Sequence, residues 1–161
     1  MTGSRWPDAR VDPVMRLRAL AAAIPGSNLT ETFIAAPLDV VWAVASDLEG
    51  ELPHFIPDVR SVRLIPGPSD RSVALIRGRS GLRGRFEVVL RPGWCVMQSR
   101  FVIGAMAAAP APGGTIFAGL GALRLPAART LTPLLSAIAR PLGARAGRRL
   151  RQRVEQRMST S

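Results

Sequence analysis

Few side chains in this chain of 161 residues are placed for acid–base or nucleophilic chemistry. His54 is the only histidine. Imidazole as a class suits proton transfer near neutral pH, but a general base also needs a substrate proton or an orienting partner within reach. No such partner is identifiable around Pro53-His54-Phe55. Asp47 and Glu49 read as charges at the end of a short helix rather than as an acid–base pair. Cys95 is the only cysteine, which excludes an internal disulfide framework and a cysteine-only zinc site and points to a reducing compartment. A single histidine excludes a His-rich metal site as well. No catalytic residue, metal or cofactor is therefore expected.

Charge is the more informative property. All 22 basic residues are arginine, there is no tyrosine, and the formal net charge is +11. Residues 1–28 carry +2, residues 29–123 carry +1 and residues 124–161 carry +8, so the basic character belongs mainly to the C-terminal segment. A second cluster, Arg77, Arg79, Arg83 and Arg85, surrounds a turn between Gly78 and Gly84. It is either a solvated basic turn or a clamp for an anionic head group or an acidic carrier protein. No zinc finger, helix-turn-helix or aromatic RNA-binding signature accompanies these arginines, which leaves only non-specific nucleic-acid contact.

The elements that must position these residues follow from hydrophobic periodicity. A hydrophobic content of 47% over this length describes one domain with a real core. Asp12 can cap, and Pro13 can start, a helix carrying Val14, Leu17, Leu20, Ala21 and Ile24, which Pro25-Gly26 ends. This N-terminal extension, residues 1–28, does not read as a secretory signal, because Asp8 and Asp12 interrupt Arg5 and Arg10. Strands are expected over 29–35, 59–65, 72–79, 82–91, 94–102, 103–109 and 115–124, separated by turns such as Pro66-Gly67-Pro68, Pro92-Gly93 and Pro112-Gly113-Gly114. Short turns between consecutive strands make them antiparallel neighbours. Between the first two strands, Pro37 opens a short helix through Trp42. A last, long helix starts near Pro126 or Pro133, with Leu131, Leu134, Leu135, Ile138, Leu142, Ala146, Leu150, Val154 and Met158 on one stripe. Pro141 inside it predicts a kink near Arg140.

The stretch Ala36-Pro37-Leu38-Asp39-Val40-Val41-Trp42, continuing through Asp47-Leu48-Glu49 to Pro53-His54-Phe55-Ile56-Pro57, resembles the entry to the SRPBCC superfamily. That group comprises START-like lipid carriers and polyketide cyclase/dehydrase proteins. The resemblance covers residues 29–158. It implies an α+β helix-grip fold: two short helices between strands one and two, and a seven-stranded curved antiparallel sheet gripping a long C-terminal helix. It also implies a cavity for an apolar ligand between sheet and helix.

On that frame Trp42, Phe55, Phe86, Phe101 and Phe117, with Leu134, Leu135 and Ile138 of the last helix, are the expected cavity wall. Ordinary core packing is the plainer reading of each aromatic alone. The resemblance also implies a pocket arginine in the aromatase/cyclase members, for which Arg91 is the nearest match. Strand alternation, however, puts Arg91 on the face opposite Phe86, Val88 and Leu90. The expectation is therefore a carrier or binder of a lipid, isoprenoid or polyketide-like molecule. A polyketide cyclase, aromatase or dehydratase is the alternative, and an interaction module with a collapsed cavity a third.

The last feature is the absence of charge between Arg100 and Arg124, where two strands are apolar on both faces. The outer face needs a cover: the N-terminal helix, a second subunit joined through 101–123, or lipid. With Arg145, Arg148, Arg149, Arg151 and Arg153 off the apolar stripe of the last helix, contact with an anionic membrane surface is expected. The predicted location is cytoplasmic and membrane-peripheral.

Overall fold

The structure is a computed structural model that describes residues 11–124 and 128–161, with residues 128–139 described as backbone only. Its elements are α1 (Pro13–Ala23), β1 (Asn28–Ile34), α2 (Leu38–Ala45), α3 (Leu52–Phe55), β2 (Val59–Pro66), β3 (Arg71–Gly78), β4 (Arg83–Arg91), β5 (Trp94–Gln98), β6 (Val102–Ala111), β7 (Gly114–Leu123) and α4 (Ala128–Ser159). The strands form one seven-stranded antiparallel sheet in the order β1-β7-β6-β5-β4-β3-β2. Strands β2 to β7 follow one another as hairpins, and β1 closes the far edge against β7, Leu29 opposite Leu120 and Phe33 opposite Ile116. This is the expected α+β helix grip: a curved sheet, two short helices before β2, and α4 held on the concave face.

Local chemistry accounts for the joints. Asp12 caps α1 by accepting a 2.7 Å hydrogen bond from the Val14 N–H, with Pro13 in the first turn. Thr115 is fully buried and donates its hydroxyl to the Ala36 carbonyl at 2.8 Å, which fixes the chain where β1 hands over to α2. The β6–β7 turn passes through Gly113 at φ 79°, a conformation that favours glycine.

The expected strand over 94–102 is shorter. β5 stops at Gln98 because Ser99 turns the chain: its N–H donates to the Val102 carbonyl at 2.8 Å and its hydroxyl accepts from the Val102 N–H at 3.1 Å. α4 continues through Pro141 as a single helix. Of its stripe, Leu150 and Val154 are fully buried, whereas Leu142 and Met158 are exposed.

Two apolar cores lie on opposite faces of the sheet. The inner one joins Ile34, Val88, Cys95, Met106 and Phe117 to α2, α3 and α4. The outer one packs Val14 and Leu17 of α1 onto Ala105, Ala107, Ala109, Ala118 and Leu120 of the β6–β7 hairpin. Of the covers expected for that two-faced hairpin, α1 packs on its outer face. It is flanked by Trp94, over whose ring the Arg16 guanidinium lies at 4.8 Å. Alanines dominate the sheet side of this contact, letting the helix approach closely.

α4 is seated by missing side chains as well. A Cβ at Gly143 would fall 2.7 Å from Thr30 Cγ2, and one at Gly147 would collide with the Thr32 hydroxyl. These glycines, one helical turn apart, let the helix backbone touch β1.

Candidate ligand cavity

Between the inner face of the sheet and α4 lies a cavity of about 420 Å³. Strand alternation builds it. Phe86 of β4, Met97 of β5, Met106 of β6 and Phe117 of β7 all point inward, and Leu52 and Ile56 close one flank. The space itself comes from glycines in the same inward register. Gly104 pairs with Gly121, and Gly119 pairs with Met106. A Cβ at Gly121 would meet nothing within 4 Å, and one at Gly104 only Met97 Cε at 4.0 Å. α4 contributes Leu142, Gly143 and Ala146.

Polarity is confined to one corner. Asn28 and Thr30, two residues apart and so on one face of β1, are the side chains able to hydrogen-bond among the described lining residues. They stand against Gly143 of α4. No charged or titratable side chain belongs to the described lining. A ligand here meets an apolar wall with a neutral donor–acceptor pair at one end. Burying an unpaired charge in such a site is costly.

The sequence-predicted wall is brought together only in part. Phe86 and Phe117 line the cavity. Phe55 is fully buried but packs in the core beside it, and Trp42 is half-buried against that same core, on α2 rather than on the wall. Phe101 is the clear correction: it is 52% exposed, because the chain turns at Ser99 and places it in the β5–β6 connection instead of on a strand. The side chains of Leu134, Leu135 and Ile138 lie outside the described residues. Sequence reasoning missed Gly104, Gly119 and Gly121, whose signal was their even spacing, two or four residues, from Met106 and Phe117. Asn28 and Thr30 went unnoticed too.

The groups that could have done chemistry stand elsewhere. Arg91 is exposed on the outer face and ion-paired with Asp70, whose carboxyl it holds below the usual range. His54 is exposed on α3. The Cys95 thiol is buried in the inner core, and burial pushes its pKa up to about 12, so it is an unreactive packing group.

Arg153 is also corrected. Grouped by sequence with Arg145, Arg148, Arg149 and Arg151 as membrane-facing, it turns inward instead. Its Nε donates to Glu51 at 2.7 Å and Nη2 at 3.0 Å, and Arg157 adds a contact at 3.3 Å. Glu51 is 6% exposed, so the pair ties the start of α3 to α4 beside the cavity. The hydrogen bond from Arg153 holds the Glu51 carboxyl below its usual pKa, against burial. The other four arginines are exposed.

Solved structures share this architecture. The fold is the START-like helix grip. The chain is similar to TTHA0849 from Thermus thermophilus at 20% identity and a TM-score of 0.63, over 81% of this chain and 97% of that one. It is similar to a START superfamily protein from Mycobacterium smegmatis at 17% identity and a TM-score of 0.59, over 81% and 97%. It is also similar to the Zhui aromatase/cyclase from Streptomyces sp. R1128 at 14% identity and a TM-score of 0.61, over 82% and 94%. No protein-family model and no curated protein sequence matches the chain.

Proposed function

We propose that the protein binds and carries an uncharged hydrophobic small molecule in the cavity between the sheet and α4. The observation that carries this reading is the lining: about 420 Å³ of apolar space with one neutral polar corner, within the ~300–1,000 Å³ usual for small-molecule sites. A lipid, an isoprenoid or a polyketide-like compound with one hydroxyl or carbonyl group matches it. Asn28 and Thr30 would take that group by hydrogen bonding, and no counter-ion for a carboxylate stands among the described lining residues.

Cyclase chemistry on a polyketide is the second reading, favoured by the likeness to an aromatase/cyclase. It needs at least two convergent polar groups, one of them able to move a proton. Arg91 faces away and the chain has no tyrosine, which weighs toward the carrier. Native mass spectrometry of the purified protein tests the proposal. A co-purified neutral lipophile, displaced by a neutral naphthylamine fluorophore, is the expected result. A protein that holds nothing and takes up no fluorophore would refute it.

A further inference from the structure

The end of the sheet nearest the cavity has chemistry of its own. β1, β2, β4 and β6 begin, and β3, β5 and β7 end, at one edge of the sheet. The cavity residues Val59, Ile76, Phe86, Met97, Val102 and Gly121 all stand near that edge. Its turns expose apolar tips. Leu82, in the β3–β4 turn, is 73% exposed, and Phe101, in the β5–β6 turn, is 52% exposed. Leu123 at the end of β7 joins them at 36%.

Arginines surround these tips. Arg79 and Arg83 flank Leu82, Arg100 lies 5.3 Å from the Phe101 ring centroid, and the Arg124 N–H donates to the Phe101 carbonyl at 2.7 Å. All four are exposed, and none forms a salt bridge among the described residues. Asp58 and Glu87 are the acidic side chains near this edge; Glu87 stands exposed opposite Gln98, the last residue of β5, and Asp58 is already engaged. Its carboxylate accepts from the Ser80 N–H at 2.9 Å and from the Ser80 hydroxyl at 2.7 Å, bracing the β3–β4 turn.

We propose that this edge docks on an anionic bilayer, with Leu82 and Phe101 entering the lipid and the four arginines meeting its phosphates. The proposal rests on the cavity being a lipophile site, since the docked face would open it toward the lipid phase. Separate apolar tips on turns suit insertion into a fluid layer, with cations at head-group level. They do not form the continuous patch that a protein partner would cover. Arg145, Arg148, Arg149 and Arg151 of α4 are the competing surface. They begin next to Ala146, the last cavity-lining residue of α4, and run away from it. Between Leu142 and Met158 no large apolar side chain is exposed beside them.

Co-sedimentation with phosphatidylcholine vesicles, with and without phosphatidylglycerol, decides between the surfaces. The full chain should sediment only with the anionic vesicles and be released by salt. Each of Arg100→Gln and Arg124→Gln should weaken partition about fivefold. The double variant Leu82→Ser/Phe101→Ser should lose at least tenfold while keeping its circular dichroism and its uptake of the naphthylamine fluorophore. The triple variant Arg148→Gln/Arg149→Gln/Arg151→Gln should lose less than either arginine variant of the edge. No sedimentation at low salt, a loss confined to the α4 variant, or binding indifferent to Leu82→Ser/Phe101→Ser would each overturn the proposal. The last would mean a general polyanion or acidic-protein surface. Gly104→Leu keeps the two readings apart, because it should abolish fluorophore uptake and leave vesicle binding intact. Uptake that survives Gly104→Leu counts against the cavity alone.

Discussion

At Gly104 the cavity is held open by a side chain that is not there. Gly104→Leu would extend from a Cβ whose nearest neighbour is Met97 Cε at 4.0 Å. It should therefore fold at least as stably as the parent, by up to about 1 kcal/mol from added apolar burial, while ligand uptake falls more than tenfold. Thermal melting alongside fluorophore titration checks both halves, and uptake retained in a folded variant would sink the idea. Aromatic positions such as Phe86 and Phe117 were legible because large apolar residues announce themselves in a strand pattern. A glycine on the same face looks like a turn signal and was passed over. Glu51 escaped for another reason. Nothing near it in sequence marks a partner 102 residues away. Because its folded pKa is lowered, its contribution is complete above the unfolded value of about 4.3 and is lost as pH falls through the folded value. Glu51→Gln should cost about 1–2 kcal/mol at neutral pH, a figure kept small because Arg153 and Arg157 are part-exposed and rehydrate. In acid the two proteins should converge. Urea titrations at neutral and acid pH measure this, and a constant difference at both would disprove the linkage.

Among elements, α1 is the one that covers the outer face of the β6–β7 hairpin. Leu17 is fully buried at its centre, against alanines of the β6–β7 hairpin. Leu17→Ala should destabilise the protein by about 2–5 kcal/mol, read from urea unfolding, and Met15→Ala, at an exposed position of the same helix, should cost almost nothing. Equal effects would mean that α1 does not pack as described. Both the helix and the need for a cover were legible, since Asp12-Pro13 is a strong start signal and a charge-free hairpin cannot face water on both sides. Which cover would be used was not, because periodicity says which face is apolar and never what lies on it. The strand boundary at Gln98 was missed for a local reason: the Ser99 hydroxyl competes for backbone bonds that a propensity reading assigns to the strand. α4 was found by its stripe, yet its contact with β1 depends on Gly143 and Gly147, which a search for apolar residues ignores.

For the molecule as a whole, charge and ligand chemistry are separated in space. The chain carries 22 arginines, and none is among the described cavity residues. Its field can therefore act on an anionic surface without placing a charge inside the cavity. Among the described residues no helix is long and apolar enough to cross a membrane. The sheet order has a further consequence, in time rather than in space. β1 pairs only with β7, and α1 rests on β6 and β7. A chain cut at Gly113 thus keeps five consecutive strands but loses the one that its first strand needs. Such a fragment should show no cooperative melting by circular dichroism, and a sharp transition would contradict the pairing. During synthesis, α1 and β1 leave the ribosome well before β7 and must wait, apolar faces uncovered, until some 90 further residues have followed, about 5–20 s at the usual pace of 5–20 residues per second. A segment made early is thus placed late, and over that interval the nascent chain depends on whatever shields α1 and β1.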